Sequence, residues 1–160
     1  MTITIEYLED PNGEQQVLEF LSDLADKAML DDDYSNLLTR IDVILTILEE
    51  VGVPEIDNRT HFAKGHKDQM ITLVDIVKEL TNHPPLLETR ANWRGIGSGA
   101  FRAIFFYEKD RVGNQTIYFT QAVLKEDTYS PAFEKAVQIS EQMMYDFYSQ
   151  KGGTVKWDNA

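Results

Sequence analysis

Four cations stand out in a chain otherwise dominated by acids: Arg90, Arg94, Arg102 and Lys125. A guanidinium matches two phosphate oxygens at once, and an ammonium adds a compact positive charge beside it. Brought to one place, such groups would clamp a phosphodiester. Arg102 stands near the start of the apolar run "FRAIFFYEK", and Lys125 closes the run "QTIYFTQAVLK". In an extended strand, alternate side chains share a face. Arg102 is then expected beside Ile104 and Phe106, with Phe101, Ala103, Phe105 and Tyr107 on the other face. The competing reading is a structural arginine paired with an acid from a helix, and acids are plentiful here.

The charge distribution sharpens the choice. Of 160 residues, 27 are Asp or Glu and 15 are Lys or Arg, a net charge of −12. Phosphate binding draws on clustered cations, so this average disfavours a general nucleic-acid binder. Between Pro85 and Lys125, however, six cations face three acids, a local +3 that leaves −15 on the remainder. The cations are gathered around the two apolar runs.

Other chemistry-bearing patterns reduce to structure. There is no phosphate-binding loop, dinucleotide fingerprint, HExxH or GxSxG word. "GIGSG" (95–99) precedes a strand rather than a helix and reads as a tight connection. His61 and His66 lie five apart with no third ligand fixed by helical spacing, so no metal site is assigned. His83 stands at a helix end, and Asp31, Asp32 and Asp33 form a solvated helix entrance. Met143 and Met144 belong to an apolar stripe and serve packing.

These residues must be positioned by a small set of elements. "TITIEYL" alternates with period two, so Thr2–Leu8 is expected to be a strand. Asp10 and Pro11 supply cap and first-turn residues for a helix from about Glu14 to Met29. Leu37, Ile41, Ile44, Leu48 and Val51 mark a second helix, ended by Gly52 and Pro54, and the two should pack as an antiparallel pair. Val53–Lys67 reads as a loop. Asp68–Asn82 has helical apolar spacing and is stopped by Pro84 and Pro85. "LLETR", Phe101–Tyr107 and Thr116–Leu124 are expected strands, with "KDRVGN" as the turn between the last two. Ser130 caps and Pro131 opens a final helix. The tail 151–160 is expected to fray, or to dock through Val155 and Trp157.

The expected fold is therefore α+β: an antiparallel sheet packed against an N-terminal helix pair and a C-terminal helix. One domain spans 1–150, with a helical insertion at about 53–84. Apolar residues are 42% and charged residues 26%, the balance of a folded rather than disordered chain. No cysteine, signal peptide or long apolar span is present, so the expected location is the cytoplasm, without membrane contact.

The segment "PPLLETRANWRGIGSGAFRAIFFYEKDRVGNQTIYFTQAVLKEDTYSPAFEKA" resembles the core of RelE/ParE-superfamily toxins, in the HigB-like, phage-derived branch. There, a Leu-x-Glu-x-Arg strand precedes a Tyr-Arg-hydrophobic strand; an apolar strand ending in lysine follows, then Thr-Pro before a helix. Glu88 and Arg90 fit the first word, with Leu87 one place from the usual leucine. Phe101–Arg102 fit the second, "AVLK" ending at Lys125 the third, and Ser130–Pro131 the fourth. The resemblance spans about 110 residues and implies a RelE-like sheet. It implies a type II toxin that cleaves mRNA on the ribosome, needs no metal or cofactor, and is neutralised by an antitoxin protein. By the same resemblance, Arg102 contacts the scissile phosphate and Lys125 is the basic residue at the end of the last strand. Arg90 supports the sheet or the RNA backbone, Arg94 is a second RNA-binding cation, and Tyr129 takes a catalytic polar place. Where the family commonly has another cation after Lys125, this chain has Glu126 and Asp127. The alternative is a non-catalytic phage or mobile-element protein on the same scaffold, acting through protein contacts, with its acidic surface as a nucleic-acid mimic.

Overall fold

The computed structural model describes residues 1–53, 61–64, 70–73, 76–93, 99–125 and 130–150. The chain opens with strand β1 (Ile3–Tyr7) and helices α1 (Gln16–Ala28) and α2 (Asp32–Val51). Strands β2 (His61–Lys64), β3 (Met70–Leu73), β4 (Val77–Glu79), β5 (Leu87–Trp93), β6 (Gly99–Lys109) and β7 (Gln115–Lys125) follow. Helix α3 (Pro131–Gln150) closes the described chain. β2 and β3 form a separate antiparallel pair, and the other strands make one sheet in the order β1-β7-β6-β5-β4. Among the described residues the architecture is α+β, with a five-stranded mixed sheet and three helices.

Two expectations about the sheet and the insertion need correction. The sheet is not purely antiparallel: β1 runs parallel to β7, Ile3 opposite Gln115 and Tyr7 opposite Phe119. The helical chain between β1 and β7 carries the crossover that parallel pairing requires. The insertion is also not helical where described. Asp68–Asn82 contains β3 and β4, and the expected loop before it contains β2. Apolar spacing alone does not separate a buried helical segment from short strands. Here Ile71, Thr72, Val74, Ile76 and Val77 are β-branched, which favours the extended chain. β4 then extends the main sheet by pairing Val77 with Thr89 and Glu79 with Leu87. The tail 151–160 lies outside the described residues.

The helix pair forms as its pattern dictates. Leu37, Ile41, Ile44 and Leu48 recur along one stripe of α2 and are fully buried. Each such side chain is worth roughly 1.5–3 kcal/mol of burial. Asp31 caps α2 through its carboxylate and the Asp33 N–H, and Gly52 ends it at a positive φ of 72°. α1 begins later than expected. Asp10 holds the turn before it, accepting from Asn12 and Glu14 N–H groups, rather than capping the helix. Among the described residues, no helix is long and apolar enough to cross a membrane.

The sheet separates two cores. Phe101, Ala103, Phe105, Ile117, Phe119 and Ala122 face the α1–α2 pair. Ile104, Phe106 and Tyr118 face α3, where they meet Phe133, Ala136, Val137 and Tyr148. One irregularity keeps both faces filled. Ile104 pairs with Gln121 but Phe105 pairs with Phe119, so Thr120 is an extra residue in β7. This bulge lets both Thr120 and Gln121 reach α3. Thr120 Oγ1 lies 2.6 Å from Ser140 Oγ, and Gln121 Nε2 lies 3.5 Å from the Met143 sulfur.

Candidate nucleic-acid interface

Register places the chemistry-bearing side chains. Facing residues of an antiparallel pair point to the same side of the sheet. Arg90 on β5 faces Arg102 on β6, which faces Val123 on β7. One row away, Asn92 faces Ala100, which faces Lys125; in the opposite direction, Glu88 faces Ile104, which faces Gln121. Ile104 and Val123 pack on the α3 side, so Glu88, Arg90, Arg102 and Lys125 all belong to that face. Three of the expected site residues are thus brought together on adjacent rows. Arg94 and Tyr129, with Glu126 and Asp127, lie outside the described residues.

Each cation has a distinct environment. Arg102 Nη1 donates to Glu88 Oε1 at 2.5 Å, with only 15% and 4% of the two side chains exposed. The structural partner of Arg102 is therefore an acid from the neighbouring strand, not from a helix. Lys125 Nζ stands 5.0 Å from the centre of the Phe133 ring, a cation–π distance that rests it on the first turn of α3. Arg90 is half-buried and makes no ion pair among the described residues. Ser130 Oγ accepts the Phe133 N–H at 3.2 Å and so caps the helix that carries this ring.

Glu88, which fits the Leu-x-Glu-x-Arg word, has no expected role in the site, yet it holds the centre of this face. Its signal was present: Leu86, Glu88 and Arg90 alternate, so a buried Leu86 places Glu88 on the face of Arg90. Glu88 is 3% exposed, and its Oε2 has no hydrogen-bond partner among the described residues. Arg90 Nε and Arg102 Nε are likewise buried and have no partner among the described residues.

A groove of about 530 Å³ lies elsewhere, between the end of β1 and the last turns of α3. Glu9, Asp10 and Asp146 line it, with no basic residue among the described ones. It lies at the far end of α3 from Lys125, and its charge would repel phosphate. Tyr118 on β7 and Tyr148 on α3 are pushed above the usual phenol range, first by burial and then by the Glu108 carboxylate. Neither tyrosine is poised to lose a proton near neutral pH. Among the described residues, no three His, Asp or Glu side chains are grouped to hold a metal ion.

Comparison of the chain with family models, with curated proteins and with solved structures finds no match.

Proposed function

We propose that the protein is a type II toxin of the RelE/ParE superfamily, in its HigB-like branch: a metal-independent mRNA endoribonuclease acting on the ribosome and neutralised by an antitoxin. The observation that supports this reading is the grouping of Arg90, Arg102 and Lys125 on adjacent rows of one sheet face, despite a net charge of −12. In the cleavage proposed, the ribose 2′-oxygen attacks the adjacent phosphorus, passes its proton to a base, and the 5′-oxygen leaves. Arg102 and Lys125 would stabilise the negative charge that grows on the phosphoryl oxygens. Tyr129 would polarise the attacking hydroxyl or protonate the leaving oxygen.

Expression in a bacterium tests this directly. Growth arrest with cleaved mRNA is expected, and it should be relieved by Lys125→Ala or Arg102→Ala. Lys125→Ala is the cleaner variant, because Arg102→Ala also strips Glu88 of its partner. Intact mRNA and normal growth at high soluble expression would reject the proposal.

A second reading has its own support. Arg102 is already paired with Glu88, and Lys125 already rests on Phe133. Cations engaged in this way suit a non-catalytic protein that works through protein contacts, with its acidic surface as the recognition element. A pull-down at low salt that recovers no stable partner would count against it.

A further inference from the structure

The α3 face carries more positive charge around Glu88 than one carboxylate balances. Arg102 bonds it, Arg90 stands directly opposite Arg102, and exposed Lys78 stands opposite Glu88 across β4 and β5. Like charges directly opposed across a sheet repel one another. Two guanidinium Nε–H donors and one carboxylate oxygen in this cluster are buried without a partner among the described residues. Buried polar groups are ordinarily bonded, so a cluster with three open valences is one that something else completes.

We infer that Glu88 is a positioning residue that governs whether Arg102 can take an oxyanion. In the empty protein, its carboxylate fills the place of the anion and holds the guanidinium against the sheet. An incoming phosphate group exchanges with Glu88, whose carboxylate turns to Lys78: Arg102 and Arg90 turn their donors to the phosphate oxygens, and Arg90 gains the anion it lacks. Glu88 is therefore an internal competitor for the site, and removing its charge tightens anion binding. The inference rests on the proposed function only for the identity of the anion as an RNA phosphodiester.

The test follows the arginine Nε–H resonances of the ¹⁵N-labelled full chain. Inorganic phosphate and a short single-stranded RNA are titrated separately at constant ionic strength. In the wild type, the signals of Arg90 and Arg102 should move together and saturate, while those of Arg40 and Arg111 stay still. Glu88→Gln, which keeps the shape and one acceptor oxygen, should bind the anion about 10-fold tighter, the worth of one charge-assisted bond. Equal or weaker binding by a folded Glu88→Gln would show a purely structural Glu88 and overturn the inference. Movement confined to Arg40 or Arg111, or no saturable movement, overturns it as well. That wild-type readout decides the matter if Glu88→Gln does not fold. Saturation by RNA but not by free phosphate identifies a phosphodiester as the ligand, and the reverse identifies free phosphate; either supports the exchange. Growth arrest is scored separately. Arrest without tightening sinks this inference alone, and tightening without arrest sinks the proposed function alone.

Discussion

Glu88 and Arg102 show how a buried pair behaves as one unit. A carboxylate with 4% of its side chain exposed has no water to fall back on when its partner is removed. Breaking such a pair from one side costs about 3–5 kcal/mol, whereas replacing both members with apolar groups of similar size is often close to neutral. Arg102→Ala should therefore lower the unfolding free energy by about that amount. Glu88→Leu combined with Arg102→Met should cost less than either single change. Urea denaturation of the wild type, Arg102→Ala, Glu88→Leu, Arg102→Met and the double variant gives the comparison. Tyr118 offers a second prediction at this scale. Burial, then the carboxylates of Glu108 and Glu6, raise its pKa from 10.0 to about 12. The folded state thus holds the phenol proton more tightly than the unfolded chain does. Its contribution is complete below pH 10 and is lost as pH rises through about 12. The urea midpoint should fall across that window, and Tyr118→Phe should flatten the fall.

At the scale of elements, the end of α2 is the most constrained point. Gly52 has φ 72° and ψ −166°, a region essentially reserved for glycine. A Cβ built there would lie 2.6 Å from Oε1 of Gln115, the oxygen that accepts the Val53 N–H at 2.8 Å. Gly52→Ala should cost at least about 1–3 kcal/mol from the backbone alone, visible as a lower melting midpoint. This glycine was legible in the sequence, as were both helices of the pair, β5 to β7 and α3. Each carries a long periodic stripe with chemically suitable ends, such as Asp31, Ser130 and Pro131. β3 and β4 were not legible as strands, because they are short and their apolar residues also fit a helical period. The parallel placement of β1 depends on contacts more than a hundred residues apart, which local pattern does not encode. The candidate site divides in the same way. The face of Arg102 followed from simple alternation. Its partner did not, since only the register of β5 against β6 brings Glu88 within reach.

For the whole molecule, charge is the governing quantity. A chain with 27 acids and 15 Lys or Arg repels itself when folded, and added salt screens that repulsion. The urea midpoint should therefore rise between ~0.01 M and ~0.15 M NaCl, as the Debye length falls from about 30 Å to 8 Å. Any RNA binding should weaken over the same range, because it depends on displaced counterions. The two trends have opposite sign, so they separate the acidic bulk from the basic sheet face in one buffer series. That face also depends on a single act of counting. Strand side chains alternate, so an odd number of positions from Tyr118 to Lys125 would send the lysine to the helix pair, away from Arg102. The count in the sequence is odd, and the bulge at Thr120 absorbs one position and makes it even. Flatten the bulge while keeping Thr120, and alternation would put Lys125 and Arg102 on opposite sides of the sheet. Whether this surface has one cationic site or two isolated charges is thus a question of parity, decided by how the sheet accommodates one threonine.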